Sequence, residues 1–134
     1  MECEGKKVDL ETLEYIHLHK TGALLKACVR TGAMIAGANS KLLQALTTYA
    51  EGIGLAFQII DDILDLTSSS EKLGKTAGKD LLADKTTYPK LLGMEESKKR
   101  AFDLVAKAKK AIEPWGEDAK YLISLADFIT NRDR

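Results

Sequence analysis

Apolar residues recur along this chain at the three- and four-residue spacing of an amphipathic helix, and no stretch of useful length alternates as a strand does. Asp9 is placed to cap the first helix, and Asn39 and Ser40 mark the turn before the second. The break Pro114-Trp115-Gly116 separates the last two helices. The pattern predicts an all-α fold with helices over residues 9–37, 41–66, 95–112 and 117–130.

The apolar faces of these helices identify the residues that we expect to be buried. Cys28 lies on such a face and is expected in the core, which Trp115 is expected to cap. Gly22 and Gly32 lie inside the first helix, where glycine costs roughly 1 kcal/mol relative to alanine, and they predict a kink or a close approach. The core residues expected in the last two helices are Phe102, Val105, Ala108, Ile112, Leu122, Leu125, Ala126 and Ile129.

Composition favours one all-helical piece over residues 1–134 and sets aside several classes of protein. The chain is 45% apolar, which is enough for one core of domain size. Lys and Arg together number 20, as do Asp and Glu, so the net charge gives no reason to expect a nucleic-acid partner. No apolar run approaches the roughly 18 residues that predict a transmembrane span.

Cysteine usage and the first residues bear on the cellular compartment. Cys3 and Cys28 fall in no metal-binding spacing, which favours a reduced, intracellular protein over a disulfide scaffold. The segment Met-Glu-Cys-Glu-Gly-Lys-Lys is too acidic and too short for a signal or transit peptide. We expect any targeting segment to belong to sequence ahead of this chain.

The most informative stretch, residues 57–89, reads FQIIDDILDLTSSSEKLGKTAGKDLLADKTTYP and carries three aspartates near its start. In a helix, Gln58, Asp61 and Asp65 line one stripe and Asp62 lies beside it. Asp61 and Asp65 repel each other by roughly 0.2–0.5 kcal/mol. The run Thr-Ser-Ser-Ser predicts that the helix ends just after Asp65, where the helix dipole adds roughly 0.3–1 kcal/mol per acid.

A divalent cation would relieve this repulsion, because Mg²⁺ binds a few carboxylates and fills its other positions with water and phosphate oxygens. A solvated acidic helix end explains an isolated DDxxD equally well. Basic residues follow the acids on a connection rich in Gly and Ser, and a loop of this kind can surround a phosphate. Ser68 and Glu71 have capping-box spacing and predict a short helical turn, and Pro89 is expected to start the next helix.

Three other positions each allow two interpretations. Lys20 is either a lysine whose stem covers apolar surface or part of a binding site. Glu14-x-x-His17 has the spacing of half a di-iron site, but no second copy exists, so His17 is expected to pack or to form a hydrogen bond. Gly54 lies one turn before Gln58, where the missing side chain would serve either a passing apolar substrate tail or tight helix packing.

Taken together, these motifs resemble those of the trans-isoprenyl diphosphate synthases. FQxxDDxxD followed by GKxxGKDxxxxKxTxP resembles their second aspartate-rich region, and GKTAGKDLLADKTTYPKL is most similar to plant-type geranylgeranyl diphosphate synthases. The resemblance extends upstream through HLHKTGALL and downstream to LADFITNR. It implies the C-terminal half of an isoprenoid-synthase helical bundle, without the first aspartate-rich motif and most of the isopentenyl diphosphate site.

The resemblance also implies roles for individual residues. Mg²⁺ would be held by Asp61, Asp62 and Asp65, directly or through water. Lys79 and Asp80 match positions farther from the ligands, and their roles are less defined. The residues that match the diphosphate-binding lysines are Lys75 and Lys85, and those that match the group around the allylic carbon are Lys20, Thr21 and Gln58.

The implied function is that of a prenyltransferase in isoprenoid biosynthesis. The family condenses isopentenyl diphosphate with an allylic diphosphate in a Mg²⁺-dependent reaction, here to geranylgeranyl diphosphate, and its members form dimers. A chain without the first motif is expected to be a half-site with little turnover, or a non-catalytic subunit or fragment that pairs with a full-length synthase. The similarity to plant sequences suggests a plastid location if the source is a plant. If it is not, a cytoplasmic location is expected. A generic helical scaffold would leave the motif order unexplained.

Overall fold

The computed structural model of the chain describes residues 8–72 and 85–132, and all the regular elements in these two ranges are helical. The all-α prediction is therefore confirmed. None of the helices in these ranges combines the length and apolar character needed to cross a membrane. The elements are α1 (Leu10–His17), a π-helical segment (Leu18–Gly22), α2 (Ala23–Ile35), α3 (Ser40–Lys72), α4 (Tyr88–Leu92), α5 (Met94–Ile112), a 3₁₀ segment (Glu113–Ala119) and α6 (Lys120–Asn131).

The predicted turn residues begin the first two helices as expected. The Asp9 side chain accepts a hydrogen bond of 2.8 Å from the Thr12 backbone N–H, and hydrogen bonding to Thr12 lowers the pKa of the Asp9 carboxyl. Asn39 accepts an equivalent bond of 2.9 Å from the Leu42 N–H. Between α2 and α3 the chain turns at Gly37, whose φ of +76° is a conformation that favours glycine.

Helix α3 is longer than predicted, since it continues through Lys72. The prediction that Thr-Ser-Ser-Ser ends it after Asp65 is wrong, because the Thr67 hydroxyl bonds back to the carbonyls of Ile63 and Leu64 inside the helix. The separate capping-box turn at Ser68 is wrong for the same reason. The three aspartates therefore lie before the last turn of α3, where the helix dipole is a minor influence.

Helix α3 is the central element, with α5 packed on one side and α1, the π-helical segment and α2 on the other. Gly52 allows a close approach of α5, because a Cβ at this position would lie 3.1 Å from both the Ala108 Cβ and the Leu104 carbonyl oxygen. The core is apolar and draws on every helix from α3 to α6. Its fully buried members include Tyr49, Ala56, Ile59, Tyr88, Ala101, Ala108 and Ala126.

Several predicted core positions are buried and three are not. Cys28 is exposed, Phe102 is 51% exposed and Leu125 is 47% exposed, so these predictions are wrong. At these three positions no other described element covers the side chain, which therefore stays in solvent. Trp115 packs against the core as predicted. In α5 and α6 the predicted burial is confirmed for Val105, Ala108, Ile112, Ala126 and Ile129.

Candidate functional site

The three aspartates of α3 lie in different environments. Successive helical residues are rotated by about 100°, so Asp62 lies to one side of the stripe shared by Asp61 and Asp65. The Asp62 side chain is 3% exposed, whereas the side chains of Asp61 and Asp65 are 42% and 57% exposed. The motif therefore presents two carboxylates to solvent and directs one into the protein.

Asp62 contacts residues from two other parts of the chain. Its Oδ2 accepts a hydrogen bond of 3.1 Å from the backbone N–H of Tyr88, the first residue of α4. The Nε2 of His17, at the end of α1, lies 3.5 Å from the same oxygen. The Nζ of Lys85 lies 3.7 Å from the other oxygen, Oδ1. Both oxygens of this carboxylate are thus engaged by groups of the chain itself.

His17 lies behind Asp62 and is buried, as the sequence predicted for a packing histidine. Its ring stacks on that of Tyr88, with centroids 5.6 Å apart. Burial raises the pKa of the Tyr88 hydroxyl, and the nearby Glu14 carboxylate raises it further. Glu14 forms an ion pair with Arg100 of α5.

Asp61 and Asp65 are also approached by basic side chains that sequence spacing could not identify. Arg132 contacts Asp61, donates a hydrogen bond of 3.3 Å to the Phe57 carbonyl and lies over the Phe57 ring, 4.1 Å from its centroid. The Nζ of Lys85 lies 3.9 Å from an Asp65 oxygen. No basic residue lies within one helical turn of these aspartates along the sequence, so only the fold brings Arg132 and Lys85 to them.

The residues predicted around the allylic carbon lie at the π-helical segment and on α3. Lys20 is exposed, and Thr21 and Gln58 are partly buried. Single π-helical turns inside helices are frequent at functional sites. No hydrogen bond joins these three side chains in the part of the chain that the structure describes.

Gly54 brings the π-helical segment against α3. A Cβ at Gly54 would lie 3.1 Å from the Cα of Gly22, so the two backbones touch at this pair of glycines. The space beside Gly54 is filled by protein, and the hypothesis of a substrate tail at this position is wrong. The alternative of tight helix packing is correct, as is the predicted close approach at Gly22, whereas Gly32 has no atom within 4 Å of an added Cβ.

The fit of Mg²⁺ to the aspartates is uneven. Among the side chains that the structure describes, no three His, Cys, Asp or Glu residues surround a common metal position. Asp61 and Asp65 offer exposed carboxylates one turn apart, which are ligands that Mg²⁺ uses together with water and phosphate. The metal role of all three aspartates stays a prediction, as do the roles of the lysines. Lys75, Lys79 and Asp80 lie outside the described residues, and Lys85 is half exposed.

Comparison with known proteins gives a consistent result over nearly the whole chain. The family model for polyprenyl synthetase matches residues 1–122. The chain is 54% identical to geranylgeranyl diphosphate synthase of Cyanophora paradoxa, covering 99% of this chain and 45% of that protein. It is 53% identical to the chloroplastic geranylgeranyl pyrophosphate synthase of Capsicum annuum, covering 99% of this chain and 37% of that protein. A dimethylallyltranstransferase of Fischerella ambigua is 55% identical over 95% of this chain and 37% of its own length.

Solved structures show the same relationship in three dimensions. A putative farnesyl-diphosphate synthase of Marinomonas superposes with a TM-score of 0.81 at 40% identity, over 97% of this chain and 43% of that structure. A geranyltransferase of Helicobacter pylori, solved with magnesium and isoprenyl diphosphate, gives a TM-score of 0.72 at 28% identity, over 97% and 43%. The chain thus spans less than half the length of each of the relatives and structures named above. By family model, sequence and fold, this chain belongs to the polyprenyl synthetase family.

Proposed function

We propose that this chain is the part of a trans-prenyl diphosphate synthase that binds the allylic diphosphate and its Mg²⁺ ions. The reaction served is the condensation with isopentenyl diphosphate that gives geranylgeranyl diphosphate, the product in the names of several relatives. The observation that carries the proposal is the placement of Lys85 beside Asp65, 3.9 Å apart and both half exposed. A surface that carries both carboxylates and a lysine ammonium group can bind a diphosphate together with its divalent cations.

Each group has a separate task in this proposal. Mg²⁺, when bound, neutralises charge on the leaving diphosphate, and Asp61 and Asp65 supply exposed oxygens to hold it. The Lys85 ammonium donates to phosphate oxygens as a compact point charge. Asp61 must exchange its contact with Arg132 for the metal, and Arg132 is then free to turn toward the anion.

The residues near the π-helical segment would act on the organic part of the substrate. Following the family resemblance, Lys20, Thr21 and Gln58 face the allylic carbon, where hydroxyl and amide oxygens can stabilise developing positive charge. Their placement on two elements joined by the Gly22 and Gly54 contact supports this assignment. Lys75 would join Lys85 on the diphosphate.

A thermal melt of the purified chain tests the proposal. With Mg²⁺ and farnesyl diphosphate together at about 100 times the Kd, binding to the folded state adds roughly 2.7 kcal/mol to its stability. We expect a shift in Tm with both ligands that exceeds the shift with either alone and is lost in Asp61→Asn/Asp65→Asn. A shift that ignores these two aspartates would contradict the proposal.

The matched control is Asp103→Asn/Asp118→Asn, which removes the same two charges from exposed positions on other elements. This variant should keep the full ligand-dependent shift. A loss of the shift in both double variants would indicate a general effect of charge and not a site at α3.

The activity of the isolated chain is a separate question. We propose that residues 1–134 form one helical piece, the C-terminal part of a synthase domain, with little or no turnover alone. The resemblance places the first aspartate-rich motif and most of the isopentenyl diphosphate site outside this sequence. Incubation with both diphosphates and Mg²⁺ should yield no prenyl product, and product formation by the purified chain would contradict this part of the proposal.

Pairing with a full-length synthase is the second candidate function. It is favoured by an apolar stripe on the outer face of α2, where Leu24 is 65% exposed and Ile35 is 83% exposed. The family resemblance implies that the chain dimerises, and a homo- or heterodimer would cover such a surface. Copurification with a tagged synthase that is lost in Leu24→Lys/Ile35→Lys would support a subunit role. The plastid is the proposed compartment if the source is a plant, since the Capsicum relative is named chloroplastic.

A further inference from the structure

We propose that Asp62 is a positioning residue, which holds Lys85 and the start of α4 in the orientation that diphosphate binding requires, and does not itself bind the metal. The inference rests on the proposed function, because it assigns the middle aspartate of the motif a different task from its neighbours. It follows from the burial and the contacts of this carboxylate.

The two oxygens of Asp62 are bound to the same short segment of chain. One accepts the Tyr88 N–H at 3.1 Å, and the other lies 3.7 Å from the Lys85 Nζ, three residues earlier. Residues 85–87 between these contacts have no regular structure. A single side chain of α3 therefore fixes both ends of the segment that carries the lysine.

The N-terminus of α4 depends on this contact. Thr87 stands at the capping position but makes no side-chain capping bond. The first N–H groups of a helix have no partner within it, and a carboxylate at that end is favourable. Asp62 supplies the missing acceptor from another helix.

The wall behind Asp62 prevents the carboxylate from turning toward solvent. His17 is 6% exposed and Tyr88 is fully buried, and their stacked rings close the inner side of the site. The His17 Nε2 lies 3.5 Å from Asp62 and has no hydrogen bond among the described residues. Asp65, by contrast, is 57% exposed, and its one basic contact among the described residues is Lys85 at 3.9 Å, so its carboxylate is accessible to a cation.

The test is a titration of the full chain with inorganic pyrophosphate at several Mg²⁺ concentrations. Asp62→Asn keeps an oxygen for the Tyr88 N–H and removes the charge that holds Lys85. We expect Asp62→Asn and Lys85→Met each to weaken pyrophosphate binding by about tenfold, or roughly 1.4 kcal/mol. The double variant should be no weaker than Lys85→Met alone, because Asp62 acts through that lysine.

The Mg²⁺ dependence separates positioning from metal binding. Asp62→Asn should leave the half-saturating Mg²⁺ concentration unchanged, whereas Asp65→Asn should raise it and should add to the effect of Lys85→Met. If Asp62→Asn raises the Mg²⁺ requirement as Asp65→Asn does, or if its loss adds to that of Lys85→Met, the proposal is overturned.

Hydrogen exchange of the wild-type chain provides a measurement that needs no variant to fold. The Tyr88 amide should exchange slowly if Asp62 anchors it, and rapid exchange with intact pyrophosphate binding would overturn the anchoring alone. Absence of Mg²⁺-dependent pyrophosphate binding in the wild-type chain would overturn the proposed function and the role of Asp62 in it together.

Discussion

The two sides of α3 differ in what holds them together. Toward α5 the contact is apolar and close, with Gly52 against Ala108 and with Val105 and Ile112 buried. Toward α1 and α2 it combines one glycine contact with polar groups, among them the buried Asp62. The outer face of α2 is open, as the exposure of Leu24 and Ile35 shows.

This difference separates stability from binding. The α5 side buries apolar area, which is the main favourable term in folding. The α1 and α2 side carries the predicted substrate residues and few fully buried apolar groups. We therefore expect substitutions on the α5 side to unfold the chain and those on the opposite side to alter the site.

The largest effect is expected for Gly52→Leu. The new side chain would meet the Leu104 carbonyl and the Ala108 Cβ, and α5 would have to move away from α3. Overpacking of this kind costs about 3 kcal/mol or more. Urea unfolding measures the loss. Gly32→Leu is the control, because that position is open, and it should leave stability unchanged or raise it. Equal losses in both variants would contradict the close α3 to α5 contact.

Asp62→Ala should have the second largest effect. It leaves the Tyr88 N–H without its acceptor in a buried site, which costs about 1–3 kcal/mol. Asp65→Ala removes an exposed carboxylate from the same helix and should change the free energy of unfolding by about 0.5 kcal/mol or less. Chemical denaturation without Mg²⁺ compares the two. Similar values for both variants would contradict the buried role of Asp62.

Tyr49→Phe should have a smaller effect, and its cost should shrink as the pH rises above 10. Its hydroxyl donates a bond of 2.7 Å to the Leu122 carbonyl, and Tyr49→Phe should cost about 1 kcal/mol at neutral pH. Burial raises the pKa of Tyr49 to about 12. An unfolded tyrosine loses its proton near pH 10, so the unfolded state holds fewer protons above that pH.

Stability should accordingly fall as the pH rises from about 10 to 12, by at most about 1.4 kcal/mol per pH unit for this group. Denaturant unfolding at pH 8, 10 and 11.5 measures the slope. The free energy of unfolding of Tyr49→Phe should decline less steeply with pH. Part of the decline should remain in this variant, because burial also raises the pKa of Tyr88. An identical slope in the variant would contradict the assignment to Tyr49.

The smallest effect is expected for Glu51→Gln. Its partner, the Lys26 Nζ, lies 3.0 Å away and joins α2 to α3, but both side chains are partly exposed. Such a pair contributes about 0.2–1 kcal/mol, and salt screens it. The difference from wild type in the free energy of unfolding should therefore vanish at high salt. A loss of stability that persists at high salt would contradict the assignment of this pair as a screened surface ion pair.

Much of the fold could be predicted because helix formation is governed by nearby residues. Asp9 and Asn39 cap helices through bonds to residues three positions away, and the sequence shows both partners. The end of α3 cannot be located from the sequence, because Thr67 can bond to its own helix as well as to a turn. The exposure of Cys28 and Phe102 cannot be predicted either, because periodicity identifies an apolar face without showing whether another element covers it.

The sequence by itself determined the helical class, the caps and the presence of the DDxxD motif, because these depend on residues within a few turns of one another. The tertiary structure alone decided that Asp62 is buried while Asp65 is exposed, and that Lys85 and Arg132 approach the aspartates. Arg132 and Asp61 are 71 positions apart in the sequence, so no pattern of neighbouring residues predicts their contact. The physical reason is that the charge and burial of a side chain depend on which helices pack around it, and that packing is a property of the whole fold.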